Sequence, residues 1–259
     1  RPNVQMLHAV PVAVETTMEE QFELRADRLS QKITDKTKAI LLNSPNNPTG
    51  AVIPKQELQK IGQIAKEKGI FIITDDIYSE LVYSTDPYTV ASKEGVKENV
   101  ILLNGFSKTY AMTGWRIGYV CAHPSVIEVI MKIHQYTALC APVTGQTAAI
   151  EALKNGKGDK ERMRSEYLRR RNFVTERFNE IGLSCNTPGG AFYVFPEIKN
   201  TGLSPGEFAE RLLYEHKVAV VPGDVFGAQD FQNIRCSYAT SMEKLQKAME
   251  RIDNFVQSL

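Results

Sequence analysis

The chain has 259 residues, of which 42% are hydrophobic, and its 31 Lys and Arg residues against 30 Asp and Glu leave a formal net charge of +1. This length and composition can fill one large or two moderate globular domains. So small a net charge excludes charge-driven binding to nucleic acid or to an anionic membrane. No apolar run approaches the roughly 18 residues of a membrane span, so no membrane partner is expected.

Neither the cysteines nor the histidines show ligand spacing. The four cysteines lie far apart, among apolar or small residues, at positions 121, 140, 185 and 236. This pattern is typical of buried, reduced thiols, and we expect a cytoplasmic protein. The histidines at positions 8, 123, 134 and 216 have no metal-ligand spacing, so no metal site is predicted.

The first 121 residues alternate between apolar runs and helical patterns. Five runs predict strands, at residues 9–14, 37–43, 70–74, 100–103 and 117–121. Helical spacing is found over residues 24–33 and 54–68, and the second helix has proline at its start and glycine after its end. Such an alternation predicts an α/β fold, with a mostly parallel sheet and helices on both faces.

The rest of the chain predicts more helix, followed by short strands. The predicted helices lie at residues 124–139, 145–154, 160–181, 205–216 and 242–256, and the predicted strands at 183–186, 191–195 and 233–239. A glycine-rich polar break at residues 156–159 predicts a domain boundary. We therefore expect a large domain over residues 1–156 and a smaller α+β domain over residues 157–259.

A lysine lies on the connection between the fourth and fifth predicted strands. The run Asn-Gly-Phe-Ser-Lys-Thr-Tyr-Ala-Met-Thr-Gly-Trp-Arg over residues 104–116 places Lys108 beside Ser107 and eight residues before Arg116. A hydroxyl and a guanidinium near an amine suit a bound phosphate, and the glycines allow close backbone approach. Most lysines are solvated surface cations, and the pattern alone leaves that alternative open.

Polar side chains mark three further segments. Asn47 lies in the turn Ser-Pro-Asn-Asn-Pro-Thr-Gly over residues 44–50, Asp75 ends an apolar run with Tyr78 three residues later, and Arg235 lies in the last predicted strand. Open α/β sheets bind ligands at the carboxyl ends of their strands. Taken singly, each residue also suits a structural role: Asn47 that of a plain loop residue, Asp75 that of a helix cap, and Arg235 that of a partner in a surface ion pair.

Together the four segments resemble the class I aminotransferases of fold type I, which depend on pyridoxal 5′-phosphate. The amino-acid sequence from Ser107 to Tyr119 is very similar to that of the family, and all four segments occur in the same order as in the family. The resemblance implies an aminotransferase of amino-acid metabolism that works as a homodimer, with aspartate or an aromatic amino acid as donor and a 2-oxo acid as acceptor. It also implies that the chain lacks the family's N-terminal part, which contains a glycine-containing phosphate loop.

The resemblance assigns the catalytic roles. Lys108 would bind the cofactor covalently and act as acid and base, with Asp75 and Tyr78 as the other catalytic residues. Asp75 would keep the cofactor's pyridine nitrogen protonated, while Tyr78 and Asn47 would donate to its 3′-oxygen. In the family the peptide before the proline of this motif is often cis, so a cis bond is predicted between Asn47 and Pro48.

The resemblance also assigns the contacts to anions. Ser107 and Arg116 would bind the cofactor's phosphate, and Arg235 with Asn47 would bind the α-carboxylate of the substrate, for which a planar guanidinium is suited. Many relatives have a second phosphate-binding serine three positions before the lysine. This chain has Gly105 there.

Two other functions stay open on the sequence. A carbon–sulfur lyase of the same fold would share Lys108, Asp75 and Arg235, and it would release ammonia rather than transfer an amino group. The second is an aminotransferase-like ligand-sensing domain of a transcription regulator, although nothing in this sequence resembles a DNA-binding helix-turn-helix. We expect small-molecule partners, an amino acid and a 2-oxo acid, and no nucleic acid.

Overall fold

The computed structural model describes residues 1–83, 87–227 and 231–259. In these residues two sheets are flanked by helices. The helices are α1 (Pro2–Met6), α2 (Ala26–Gln31), α3 (Lys55–Lys68), α4 (Phe106–Thr109), α5 (Pro124–Thr137), α6 (Val143–Asn155), α7 (Lys157–Glu180), α8 (Pro205–His216) and α9 (Met242–Gln257). Most fall where the sequence pattern predicts a helix.

The larger sheet confirms the predicted mostly parallel α/β architecture. Its strands, in the order β1-β2-β3-β4, are β1 (Ala39–Asn43), β2 (Phe71–Asp75), β3 (Val100–Gly105) and β4 (Gly118–Cys121). The first three run parallel and β4 runs antiparallel to β3. Asn43 lies opposite Asp75, and Asp75 opposite Leu103, so the carboxyl ends of these strands meet at one edge.

The predicted strand at residues 9–14 is wrong. These residues lie outside the described strands, and Val10 and Val12 are exposed. An apolar run forms a stable strand only when a neighbouring strand satisfies its backbone groups and its side chains are covered. In the described part of the chain no strand pairs with this segment, and of its three valines only Val14 packs against a core.

The smaller sheet is antiparallel and lies in the C-terminal part of the chain. Its strands are β5 (Tyr193–Val194), β6 (Val221–Pro222) and β7 (Ile234–Ser237), in the order β5-β7-β6. The predicted strand at residues 183–186 is wrong. The side chain of Asn179 donates to the carbonyl of Cys185 at 3.1 Å and accepts from its N–H at 2.9 Å, so a helix side chain replaces the strand partner.

Two separate hydrophobic cores support the two sheets. One fills the space between the larger sheet and helices α2 and α3, and the other packs α7, α8 and α9 with the smaller sheet. Gly156 is the single residue between α6 and α7, and a Cβ atom there would lie 2.5 Å from the carbonyl oxygen of Ala152. The division into domains at residues 156 and 157 stays a prediction.

Some apolar surface of the larger sheet region is uncovered. Helix α5 has no buried residue, and Tyr136, which it carries, is 88% exposed. The expectation of four buried thiols is wrong for Cys121 and Cys140, which are exposed because β4 is an edge strand and residue 140 follows α5. Within residues 1–83, 87–227 and 231–259, no helix is long and apolar enough to cross a membrane.

Candidate active site

Asn43 links two segments of the candidate site at the carboxyl edge of the larger sheet. Its side-chain amide donates to the carbonyl oxygen of Asp75 at 3.0 Å, and its side-chain oxygen accepts from the backbone N–H of Asn47, also at 3.0 Å. The side chain of Asn43 therefore fixes the position of the turn that contains Asn47 relative to the strand that contains Asp75. Sequence reasoning missed Asn43, although it ends a predicted strand directly before the motif.

The turn at residues 44–50 contains a cis peptide bond, but not the predicted one. The cis bond joins Ser44 and Pro45, so the prediction for Asn47 and Pro48 is wrong. Both bonds precede proline and have a similar intrinsic preference, so sequence cannot distinguish them. The ring of Pro45 packs against the backbone of Gly190, where a Cβ atom would lie 2.4 Å from it.

Two adjacent carboxylates at the end of β2 have different surroundings. Asp75 is half-buried, and its side chain accepts from the N–H of Ile77 at 3.2 Å. Asp76 is buried, and its side chain accepts from the hydroxyl of Thr74 at 2.5 Å. Burial raises the pKa of Asp76, and the hydrogen bond from Thr74 opposes that shift in part. Asp75 is therefore the carboxylate of the pair that a ligand could reach.

Tyr78 follows in the same segment and is almost fully buried. Its hydroxyl oxygen lies 3.0 Å from that of Tyr193, and the two rings meet edge to face. Burial is the main cause that raises the pKa of Tyr78, and the hydrogen bond with Tyr193 adds to it. Tyr78 is thus a neutral phenol near neutral pH and has a proton to donate.

Lys108 lies on the single turn of helix α4, directly after β3, and is half-buried. Its amine nitrogen lies 5.9 Å from the ring centre of Tyr78 and 5.7 Å from that of Phe192, distances typical of cation–π contacts. A Cβ atom at Gly105, just before the turn, would lie 2.9 Å from the carbonyl oxygen of Ile117. This backbone has no room for a serine at that position.

Arg235 enters the site from the smaller sheet. Its Nη1 donates to Oδ1 of Asn47 at 2.8 Å, and its Cζ lies 4.7 Å and 4.9 Å from the ring centres of Tyr193 and Phe226. Its Nε is buried, and no described residue accepts its hydrogen bond. A buried donor without an acceptor is costly, which favours a bound acceptor here.

Backbone hydrogen bonds join the three chain segments that contain Gly50, Leu81 and Gly190. The N–H of Gly190 donates to Gly50 at 2.9 Å, and that of Ala191 donates to Leu81 at 2.9 Å. Gly50 has φ +69°, and a Cβ atom there would lie 2.4 Å from Cβ of Pro188. The glycines thus allow the turn after β1, the segment after Tyr78 and the segment before β5 to touch.

The structure brings most of the predicted site residues together. Asn47, Tyr78, Lys108 and Arg235 are connected, directly or through the rings of Tyr193 and Phe192. Asp75 joins them through Asn43, and Ser107 is half-buried on the same helical turn as Lys108.

Arg116 lies apart from this network. It is exposed, its φ is +55°, and its Nη1 donates to the carbonyl of Thr113 at 2.8 Å. The described contacts give it no link to the other site residues. Sequence reasoning also missed Tyr193 and Phe192, which it placed only in a predicted strand at residues 191–195.

Comparison with known proteins shows the family of the chain. The family model "Aminotransferase class I and II" matches residues 1–252. The chain is 46% identical to an aspartate aminotransferase of Pyrococcus abyssi (strain GE5 / Orsay) and 45% identical to aromatic-amino-acid aminotransferase 2 of Thermococcus litoralis. Each alignment covers 97% of this chain and 66% of the relative.

A solved structure shows the same fold. An aromatic aminotransferase from Pyrococcus horikoshii OT3 superposes with a TM-score of 0.93 at 45% identity, covering 96% of this chain and 68% of that one. The chain belongs to the class I and II aminotransferase family, and it spans about two thirds of the length of these relatives.

Proposed function

We propose that the protein transfers an amino group from an L-amino acid to a 2-oxo acid with pyridoxal 5′-phosphate as its cofactor. The observation that carries the proposal is the amine of the half-buried Lys108, which lies beside the Tyr78 ring in the same contact network as Arg235. Aspartate or an aromatic amino acid is the proposed donor, since relatives of both names align over nearly the whole chain. The lyase and regulator alternatives are not favoured by these relatives.

The donor set of the site fits this cofactor. Oδ1 of Asn47 is occupied by Arg235, which leaves its amide N–H groups as donors, and the neutral hydroxyl of Tyr78 is a second donor. Asp75 would hold the pyridine nitrogen, and Asn47 with Tyr78 would hold the 3′-oxygen. Ser107 would bind the phosphate, and Lys108 would attach the cofactor covalently. Arg116 could join Ser107 only if its exposed side chain left the carbonyl of Thr113 and turned toward the site.

The bound cofactor supplies an electron sink for the charge that forms at the substrate's Cα. The chain's own residues supply the rest. Lys108 would remove the proton from Cα and hold it on Nζ, as a general base positioned by its helical turn. The rings of Tyr78 and Phe192 restrict where this amine can lie, so the gain is one of orientation.

Arg235 would bind the substrate carboxylate and so orient Cα toward Lys108. A guanidinium has five N–H donors, and Asn47 accepts from one of its terminal nitrogens. The remaining donors can bind a carboxylate with two parallel hydrogen bonds, which fixes its plane as well as its position. Asn47 thereby serves both the cofactor and the substrate in this proposal.

The proposal includes a cytoplasmic homodimer. The four cysteines are all free thiols, which suits a reducing compartment. Apolar side chains on α5, among them Val129, Ile133 and Tyr136, are exposed, and burying them would favour association with a second copy. Sedimentation equilibrium gives the mass in solution, and a monomer at micromolar concentration would contradict this part of the proposal.

Borohydride reduction followed by peptide mapping tests the chemistry. The purified protein is incubated with pyridoxal phosphate, reduced and digested, and the cofactor is expected on the peptide that contains Lys108. The exposed Lys247 on α9 is the matched control, and its replacement by alanine should leave the labelling unchanged. Label on another lysine, or none, would refute the assignment, and ammonia release without amino transfer would favour the lyase.

A further inference from the structure

Tyr193 touches both parts of the candidate site with one side chain. It is 8% exposed, its hydroxyl oxygen lies 3.0 Å from that of Tyr78, and its ring centre lies 4.7 Å from Cζ of Arg235. Tyr78 belongs to the proposed cofactor contacts and Arg235 to the proposed substrate contacts. No other described residue has a hydrogen bond to the first and a ring contact with the second.

The hydrogen-bonding capacity of two hydroxyl groups limits their arrangement. Each hydroxyl has one proton to donate and can accept from others. If Tyr78 donates to Tyr193, it has no proton left for a bound molecule. Tyr78 can donate outward to a ligand oxygen only when Tyr193 supplies the proton of the bond between them.

The ring of Tyr193 acts on the other partner. Arg235 is held at one end by the hydrogen bond to Asn47, and its guanidinium lies near the rings of Tyr193 and Phe226. A guanidinium over an aromatic face is attracted to it, and the contact also restricts the plane of the guanidinium. The ring therefore fixes the orientation in which Arg235 can present its remaining donors.

The backbone of Tyr193 is held independently of its side chain. Tyr193 pairs with Ser237 in the smaller sheet, two residues from Arg235, and the preceding Ala191 donates to Leu81. Variants at this position should consequently keep the strand in place. This permits a test in which the hydroxyl and the ring are removed separately.

We propose that Tyr193 is a positioning residue, whose hydroxyl donates to Tyr78 and thereby fixes the direction in which Tyr78 donates to the cofactor, and whose ring orients Arg235 for the substrate carboxylate. The inference rests on the proposed function. It predicts two separable effects from one residue, one on cofactor binding and one on substrate binding.

A double-mutant cycle on cofactor affinity tests the hydroxyl. The dissociation constant for pyridoxal phosphate is measured by equilibrium dialysis for the wild type, Y78F, Y193F and the double variant. A hydrogen bond of typical strength predicts that Y193F weakens binding about fivefold when Tyr78 is present and has no effect in the Y78F background. The control Y167F removes a hydroxyl from the same aromatic cluster and should change nothing.

Steady-state kinetics tests the ring. Y193F keeps the ring and should leave the amino-acid KM within about twofold of the wild type, whereas Y193L should raise it about tenfold, the effect of about 1.4 kcal/mol. In the R235A background, Y193L should cause no further increase. This dependence on Arg235 separates a positioning role from general loss of packing.

The outcomes distinguish the inference from the proposed function. Equal effects of Y193F with and without Tyr78, or no effect at all, would overturn the role of the hydroxyl. A KM that rises equally in Y193F and Y193L would overturn the role of the ring. A wild type that neither binds pyridoxal phosphate nor transfers amino groups would overturn the proposed function, and the inference with it.

Discussion

The two parts of the candidate site are built in different ways. Asn47, Asp75, Tyr78 and Lys108 lie on or within four residues after strands β1, β2 and β3, so the register of a parallel sheet places them. Arg235 and Tyr193 come from a small antiparallel sheet with its own core. We call these the sheet-end part and the C-terminal part.

Two long-range hydrogen bonds join the parts. Asn47 and Arg235 are 188 residues apart in sequence, and Tyr78 and Tyr193 are 115 apart. The sheet-end part depends on local chain geometry, whereas the position of the C-terminal part depends on how its segments pack against the sheet. Variants of Lys108 in the sheet-end part should therefore affect the chemistry with every substrate, and variants of Arg235 in the C-terminal part should affect substrate binding. Tyr193 contacts residues of both kinds.

The largest effect is expected at Lys108. Replacing it by alanine removes the amine that attaches the cofactor and moves the proton, and acid-base catalysis by one residue is typically worth about 10²–10⁴-fold. We expect kcat to fall by at least this factor with every amino acid tested, as measured by 2-oxo acid formation. A loss confined to one substrate would place Lys108 with the C-terminal part and contradict the comparison.

Arg235 should show the opposite pattern. Replacing it by alanine should lower kcat/KM about thirty- to several-thousand-fold, since losing one partner of a buried charge pair costs about 2–5 kcal/mol. Cofactor content, read from absorbance, should be unchanged. The matched control is Arg162→Ala on the exposed face of α7, which should leave kcat/KM as it is. An unchanged value for the Arg235 variant would exclude it as the carboxylate contact.

Gly50 lies where the turn after β1 packs against the segment before β5, so a substitution there tests this packing. Gly50→Ala places a Cβ atom against Pro188 at a positive φ, whereas Gly69→Ala has a similar φ of +63° and nothing within 4 Å. Both variants carry the backbone penalty of about 1–2 kcal/mol, and overpacking adds about 1–3 kcal/mol to the first alone. Urea denaturation should show this difference in the free energy of unfolding. Equal losses would mean that the segments adjust to the contact.

The smallest expected effect is that of replacing Asp76 on the pH dependence of stability. Asp76 is adjacent to Asp75, which is a proposed cofactor contact. Its pKa is raised by burial, so the folded state binds a proton more tightly than the unfolded chain. Its contribution to stability is therefore present at low pH and is lost as the pH rises from about 4 toward the folded-state pKa. Asp76→Asn should flatten this part of the stability profile, as measured by urea denaturation at several pH values.

Glu57 provides a control of opposite sign. The backbone N–H of Ala26 and then Lys60 lower its pKa, so its contribution is present at neutral pH and is lost as the pH falls through the folded-state value. Glu57→Gln should reduce stability at neutral pH and leave it unchanged in strong acid. If both variants shifted the profile in the same direction, burial of Asp76 would not be the cause of its shift.

The sequence by itself determined the helices other than α1 and α4, the paired strands of the larger sheet, and the polar residues at the ends of those strands. Helix α8 has the predicted bounds of residues 205–216, because its proline start, the cap at Ser204 and the apolar spacing are all local signals. Local pattern also placed Lys108, Asp75 and Tyr78 at strand ends, whereas their proposed roles came from the family resemblance. Each follows an apolar run, and parallel pairing brings the ends of such runs to one edge.

Tertiary structure alone decided the rest. Residues 9–14 have a strand-like pattern but no neighbour to satisfy their backbone, and residues 183–186 meet the side chain of Asn179 instead of a strand. The two contacts of Tyr193 depend on partners far away in sequence. A local sequence pattern indicates which secondary structures a segment can form. Burial and hydrogen-bond partners, which only the folded chain supplies, decide which of these structures it adopts.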